Sequence, residues 1–70
     1  MSEDEVLKRV EAIAAQEHAS GVWDDETAHG MEDALWADVL RAIAAGDADA
    51  PALARAALTT QEMNFSRWTA

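Results

Sequence analysis

Only seventeen of the seventy side chains are both large and apolar once Met1 is set aside: four Val, five Leu, two Ile, two Met, one Phe and three Trp. A chain this short buries only about 60% of the surface that its unfolded form exposes, which leaves a thin stability margin. No cysteine is available for a disulfide, and no Cys/His cluster suggests a structural zinc. Two routes to a stable fold are left: close helix packing, or burial of further surface against another chain, a homodimer being the simplest case. Alanine decides the secondary structure. It fills 17 of the 70 positions and is the best helix former, while Tyr, Ile and Val are too sparse for a sheet protein. The expectation is a single all-α domain over residues 1–70. Its three helices fall at about 3–19, 25–45 and 50–59, followed by a short C-terminal turn or helix carrying Phe65 and Trp68.

The helix boundaries are written in local chemistry. Ser2 and Glu5 have the spacing of a capping box, and Met1 and Val6 stand where a hydrophobic staple needs them. Glu3, Asp4 and Glu5 place negative charge at the positive end of the helix dipole. Val6, Val10 and Ile13, flanked by Leu7 and Ala14, make the buried stripe, and Ser20-Gly21 stops the helix. The second helix has two candidate starts: Asp24 is a good N-cap, but Gly30 disfavours a helix interior and would allow a start near itself. From Met31 onward Leu35, Trp36, Val39, Leu40 and Ile43 sweep an arc of about 180°, too wide for one neighbour. This is the central helix, packed on two sides, with Gly46 as its stop. Asp47 or Asp49 can cap the third helix, where Pro51 suits the first turn. Thr59 and Glu62 have the spacing of a second capping box.

Charge is distributed unevenly. Residues 1–50 carry thirteen of the fourteen acids against Lys8, Arg9 and Arg41, a net of −10, whereas residues 51–70 carry Glu62 against Arg55 and Arg67, a net of +1. Such a body repels nucleic acid and anionic lipid, so direct DNA, RNA or membrane binding is not expected. It attracts a basic protein surface instead. No apolar run approaches the roughly 18–20 residues of a membrane span, and no basic segment leads into an apolar one, so the expected location is the cytoplasm.

Chemistry-bearing patterns are few. There is no cysteine nucleophile, and Ser2, Ser20 and Ser66 have no convincing His/Asp partners. No glycine-rich phosphate loop is present either, so no catalytic residue is assigned. Adjacent acids such as Asp24/Asp25 and Glu32/Asp33 diverge by about 100° on a helix and do not share a site. Glu26-x-x-His29 has the Glu-x-x-His spacing of di-iron carboxylate bundles, and Glu17 and Glu32 fall on apolar helix faces. A metal-binding helical oligomer built on Glu26, His29 and Glu32 is therefore the alternative function. The ordinary reading of His18 and His29 is a surface or turn position, and no cofactor is expected.

Partner contact has better candidates. The tail from Met63 to Ala70 holds two of the four aromatic residues, Phe65 and Trp68, with Arg67 between them, in the one stretch that is not acidic. Trp and Arg are enriched at interface hot spots; the competing reading is a flap that covers a thin core. Trp23, in a connection, and Trp36, at the edge of the central helix's apolar arc, pose the same choice. Trp23, Trp36, Phe65, Arg67 and Trp68 are thus the candidate partner-binding residues of a non-enzymatic acidic interaction module. An acidic nucleic-acid mimic is a special case of it.

One resemblance adds to this. Val39-Leu40-Arg41-Ala42-Ile43-Ala44, the turn from Gly46 to Pro51, the alanine-rich residues 52–57 and the Phe65-x-Arg67-Trp68-x-Ala70 ending resemble the C-terminal half of small acidic proteins from actinobacteria and their bacteriophages. The similarity covers residues 38–70, about half of the chain. It implies no catalytic residues. It implies a phage or prophage accessory protein, a class often directed at a host protein, with the host cytoplasm as its place of action.

Overall fold

The structure, a computed structural model, describes residues 1–17 and 25–63, and the side chains of all of these except Glu17, Asp25 and Glu26. Three helices pack against one another: α1 (Glu3–Glu17), α2 (Asp25–Ala44) and α3 (Ala50–Leu58), with a single 3₁₀ turn at Thr59–Glu62 directly after α3. No strand occurs among the described residues. The protein is a small all-α three-helix domain. None of the described helices is long and apolar enough to cross a membrane. The expected last turn of the first helix, the Ser20-Gly21 stop and the Asp24 cap lie outside the described residues, as do His18, Trp23, Phe65, Arg67 and Trp68.

The start of α1 forms as its sequence dictates. The Glu5 amide donates to Ser2 Oγ at 3.2 Å, and the Ser2 amide donates to Glu5 Oε1 at 3.3 Å. Two of the orphan amides at the helix start are thereby satisfied. Met1 packs against the core beside the fully buried Val6. Its ammonium group also reaches Asp47 Oδ2 at 3.4 Å, which ties the head of α1 to the turn between α2 and α3.

α2 begins at Asp25, which removes the alternative start near Gly30. Gly30 lies inside the helix and faces open space, because a Cβ placed there meets nothing within 4 Å. The helix therefore bears the backbone-entropy cost of glycine with no packing reason for it. At its other end α2 closes in a Schellman motif. The Asp47 amide donates to Ala42 O at 3.1 Å and the Gly46 amide to Ile43 O at 3.0 Å, with Gly46 at φ +87°. Without a Cβ, Gly46 takes this left-handed conformation freely.

α3 starts differently from its expected form. Neither Asp47 nor Asp49 caps it through a side chain. Asp47 Oδ1 instead accepts the Asp49 amide at 2.9 Å, an Asx turn that sets the chain reversal. Thr59 and Glu62 form no second capping box either. The backbone runs straight on from α3 into the 3₁₀ turn, so no fresh helix start exists there. Thr59 Oγ1 turns back to donate to Ala56 O at 2.6 Å.

The core is small. Among the described residues it consists of Val6 and Ile13 from α1, Ala28, Leu35 and Val39 from α2, and Leu53, Ala56 and Ala57 from α3, with Thr60 buried beside them. Leu53 is the one large side chain that α3 buries, so Ala56 and Ala57 must bring its backbone close. Trp36 makes the closeness specific. Its indole N–H is shared between Ala57 O at 3.2 Å and Thr60 Oγ1 at 3.1 Å, while Thr60 Oγ1 donates to Ala57 O at 3.1 Å.

The two glycines lead to opposite expectations. Gly30→Ala should stabilise the domain by about 0.5–1 kcal/mol, since an interior glycine is replaced by the best helix former in open space. Gly46→Ala should destabilise it by about 1–2 kcal/mol, the cost of a Cβ in left-handed backbone. Thermal melts followed by circular dichroism should move in opposite directions, by about 4–8 °C per kcal/mol in a domain of this size. A Gly30→Ala variant that melts below the parent would contradict the account of α2.

Candidate partner-binding surface

α1 and α3 do not cover the whole apolar arc of α2. The arc expected to pack on two sides is wider than its two neighbours, and Leu40 is left 64% exposed. On α3, Leu53 and Leu58 stand five residues apart, or about 140° around the helix. Burying Leu53 fully therefore turns Leu58 outward, where it is 50% exposed. The two leucines flank an open groove of about 290 Å³ lined by Trp36, Val39, Leu40, Ile43, Ala54, Ala57 and Leu58. None of these residues is charged. Its one polar side-chain group, the Trp36 indole N–H, is already committed to Ala57 and Thr60.

Trp36 is the one expected contact residue whose surroundings are described. Half-buried, it packs against the core and also forms part of the groove wall. The core and surface readings thus meet in a single side chain. Leu40 and Leu58 were not among the expected contact residues, although a signal for Leu58 existed: two leucines 140° apart cannot face one core.

Of the expected metal ligands His29 and Glu32 have described side chains, while that of Glu26 lies outside the described ones. His29 Nε2 lies 3.5 Å from Asp33 Oδ2, its neighbour one helical turn on. Glu32 lies on an apolar face of α2, as its position in the sequence leads one to expect: it is only 5% exposed and already engaged with its surroundings. The early start of α2 explains this. Glu32 lies about two turns into the helix, four residues after Ala28 and three before Leu35, both fully buried. Among the described residues no three His, Cys, Asp or Glu side chains gather as a metal site would require.

A second, smaller hollow of about 200 Å³ lies between α1 and α2, lined by Arg9, Ala12, Ile13, Met31 and Ala34. Nearby, one carboxylate joins these two helices. Asp38 Oδ2 accepts from Arg9 at 2.7 Å, and Asp38 Oδ1 accepts from Arg41 at 2.9 Å. The Arg9 hydrogen bond, with the charges of both arginines, holds the Asp38 carboxyl below its ordinary value of 3.8 against an opposing effect of partial burial. The Asp47 carboxyl is lowered likewise, first by the Asp49 amide and then by the chain's ammonium group. These contacts gather charge on the sides of the molecule away from the groove floor.

No family model, characterised protein or solved structure matches the chain.

The Asp38 bridge has a readable pH signature. A carboxyl lowered in the folded state stabilises the fold above its unfolded pKa and ceases to do so as pH falls through the folded value. Asp38→Asn should therefore be less stable than the parent at pH 7, with the gap closing below about pH 4. Paired denaturation curves from pH 7 to pH 3 measure the gap; a constant difference would show that the Arg9 and Arg41 contacts carry no charge-dependent stability.

Proposed function

We propose that this protein is a non-enzymatic, acidic protein-interaction module that binds another protein through the exposed surface of α2 and α3. The groove between Leu40 and Leu58 carries this reading. In a domain short of large apolar side chains, two leucines half or more exposed represent apolar burial forgone by the fold. Apolar surface gathered in one place is characteristic of contact sites. The net charge of −9 favours encounter with a basic surface and disfavours nucleic acid and anionic membranes. A site lacking converging polar groups also suits a macromolecular partner better than a small polar substrate.

The proposed setting is that of a phage or prophage accessory protein acting on a host protein in the host cytoplasm. The similarity of residues 38–70 to small actinobacterial and phage proteins supports it. Two of its features, the Val39–Ala44 segment and the Gly46–Pro51 turn, bear directly on the groove: the first supplies Val39, Leu40 and Ile43, and the second brings α3 back along α2. The aromatic tail, with Phe65, Arg67 and Trp68, is a second proposed contact element.

The test is comparative capture from the native cell. The parent protein should retain one partner at fixed stoichiometry. Leu40→Ser/Leu58→Ser, at surface positions expected to cost roughly 0.5 kcal/mol each or less, should reduce recovery at least tenfold while keeping the helical spectrum. Trp68→Ala reads the tail separately. If the parent holds nothing stoichiometrically, the interaction reading fails; full recovery by both variants would remove both surfaces from the contact.

A further inference from the structure

Resting on the interaction reading, we infer that the occupant of the α2–α3 groove is a short amphipathic helix with an apolar stripe of about two turns and Lys or Arg at both ends. The groove's own pattern supplies the specification. Along α2, Asp33, Trp36, Leu40 and Ile43 follow one another at intervals of three and four residues, the spacing of a single helical face. Trp36, Leu40 and Ile43 line the groove; Asp33 precedes them by about one turn of α2, and Asp47 lies in the connection to α3. Along α3, Ala54, Leu58 and Glu62 repeat at intervals of four, with Glu62 exposed in the 3₁₀ turn. Asp33 and Glu62 therefore flank one end, and Asp47 and Asp49, in the chain reversal, flank the other.

The floor runs from Trp36 to Ile43, which at about 1.5 Å per residue is roughly 10 Å, or two turns of helix. A helix laid in such a groove presents apolar anchors at i, i+3 or i+4, and i+7. The rim charges determine what must flank those anchors. Arg41 does not cancel them: it is turned to Asp38, about 100° around the helix from Leu40. Among the described residues two positive charges lie near these acids: the Met1 ammonium, which meets Asp47 and leaves Asp49 to carry the charge at that end, and Arg55, exposed on the outer side of α3.

The same charges decide between occupants. A second copy of this chain would bring the groove's acidic ends against like charge, and each copy carries a net −9. Like-charge juxtaposition at an interface costs several kcal/mol. A cation-flanked helix meets the acids with opposite charge and the leucines with apolar surface.

Three capped synthetic helices of fourteen residues test this against the full chain. All carry Leu at i, i+4 and i+7; one has two Lys at each end, one has two Glu, and the third keeps Lys but replaces Leu with Ser. The Lys-flanked peptide should perturb the methyl resonances of Leu40, Ile43 and Leu58 and bind at least tenfold more tightly than either control. Leu40→Ser/Leu58→Ser should lose at least tenfold of that affinity. Asp33→Asn/Glu62→Gln should keep the apolar contact but lose most of the preference for Lys over Glu. Equal binding of the Lys and Glu peptides, perturbation confined to other residues, absence of binding, or a dimer in sedimentation that buries Leu40 would each overturn the assignment. The interaction reading itself would stand if Trp68→Ala abolished native capture while the peptides failed to bind, so the two failures are distinguishable.

Discussion

The close approach of α3 to α2 is the constraint on which the rest of this structure depends. α3 has one large side chain to bury, Leu53, and buries two alanines beside it. Three small patches of apolar contact do not by themselves fix a helix in register, because small residues permit proximity without specifying position. Specificity comes from Trp36. Its indole N–H reaches both Ala57 O and Thr60 Oγ1, and Thr60 closes the triangle back to Ala57. A fully buried donor that loses both acceptors costs about 1–3 kcal/mol, and the half-buried indole a part of that, still a notable share of the stability of a domain this small. The same contact holds the 3₁₀ turn against α2.

The shape of the surface follows from that register. With Leu53 and Ala57 facing inward, Leu58 must face outward, and with Trp36 turned toward α3, Leu40 is left beyond α3's reach. The groove is thus a geometric consequence of how α3 is seated. Electrostatics adds contrast rather than cohesion. Asp38 gathers Arg9 and Arg41 on the α1 side, and Asp47 gathers the chain's ammonium group at the turn, which leaves an uncharged strip between acidic ends. These bridges are partly exposed, where ion pairs contribute little to stability. Their larger effect is on where the charge lies.

Much of the architecture was legible in the residues because local rules specify it. The Ser2/Glu5 capping box, the Gly46 stop and the Val6–Val10–Ile13 stripe each depend on neighbours within one or two turns. The failures involve choices that only tertiary packing makes. Gly30 weakens α2 locally, yet the packing of Ala28 at zero exposure favours helix through it. Asp47 has two competing uses, and the Asx turn prevails over capping because its side chain also receives the chain's ammonium group. The groove was half visible: the 180° arc announced more apolar surface than a neighbour could cover. Which part of that arc remains open depends on the position of α3, which no local pattern encodes.

Hydrogen exchange at the Trp36 indole, resolved by NMR, tests the central role of this contact most directly. If the Trp36 contact seats α3, this proton should exchange only through global unfolding, with a protection free energy equal to that of the Leu35 and Val39 amides at the centre of α2 and the same denaturant dependence. Exchange much faster than those amides, with little dependence on denaturant, would mean that α3 detaches while α1 and α2 remain folded. The groove would then not be a preformed surface.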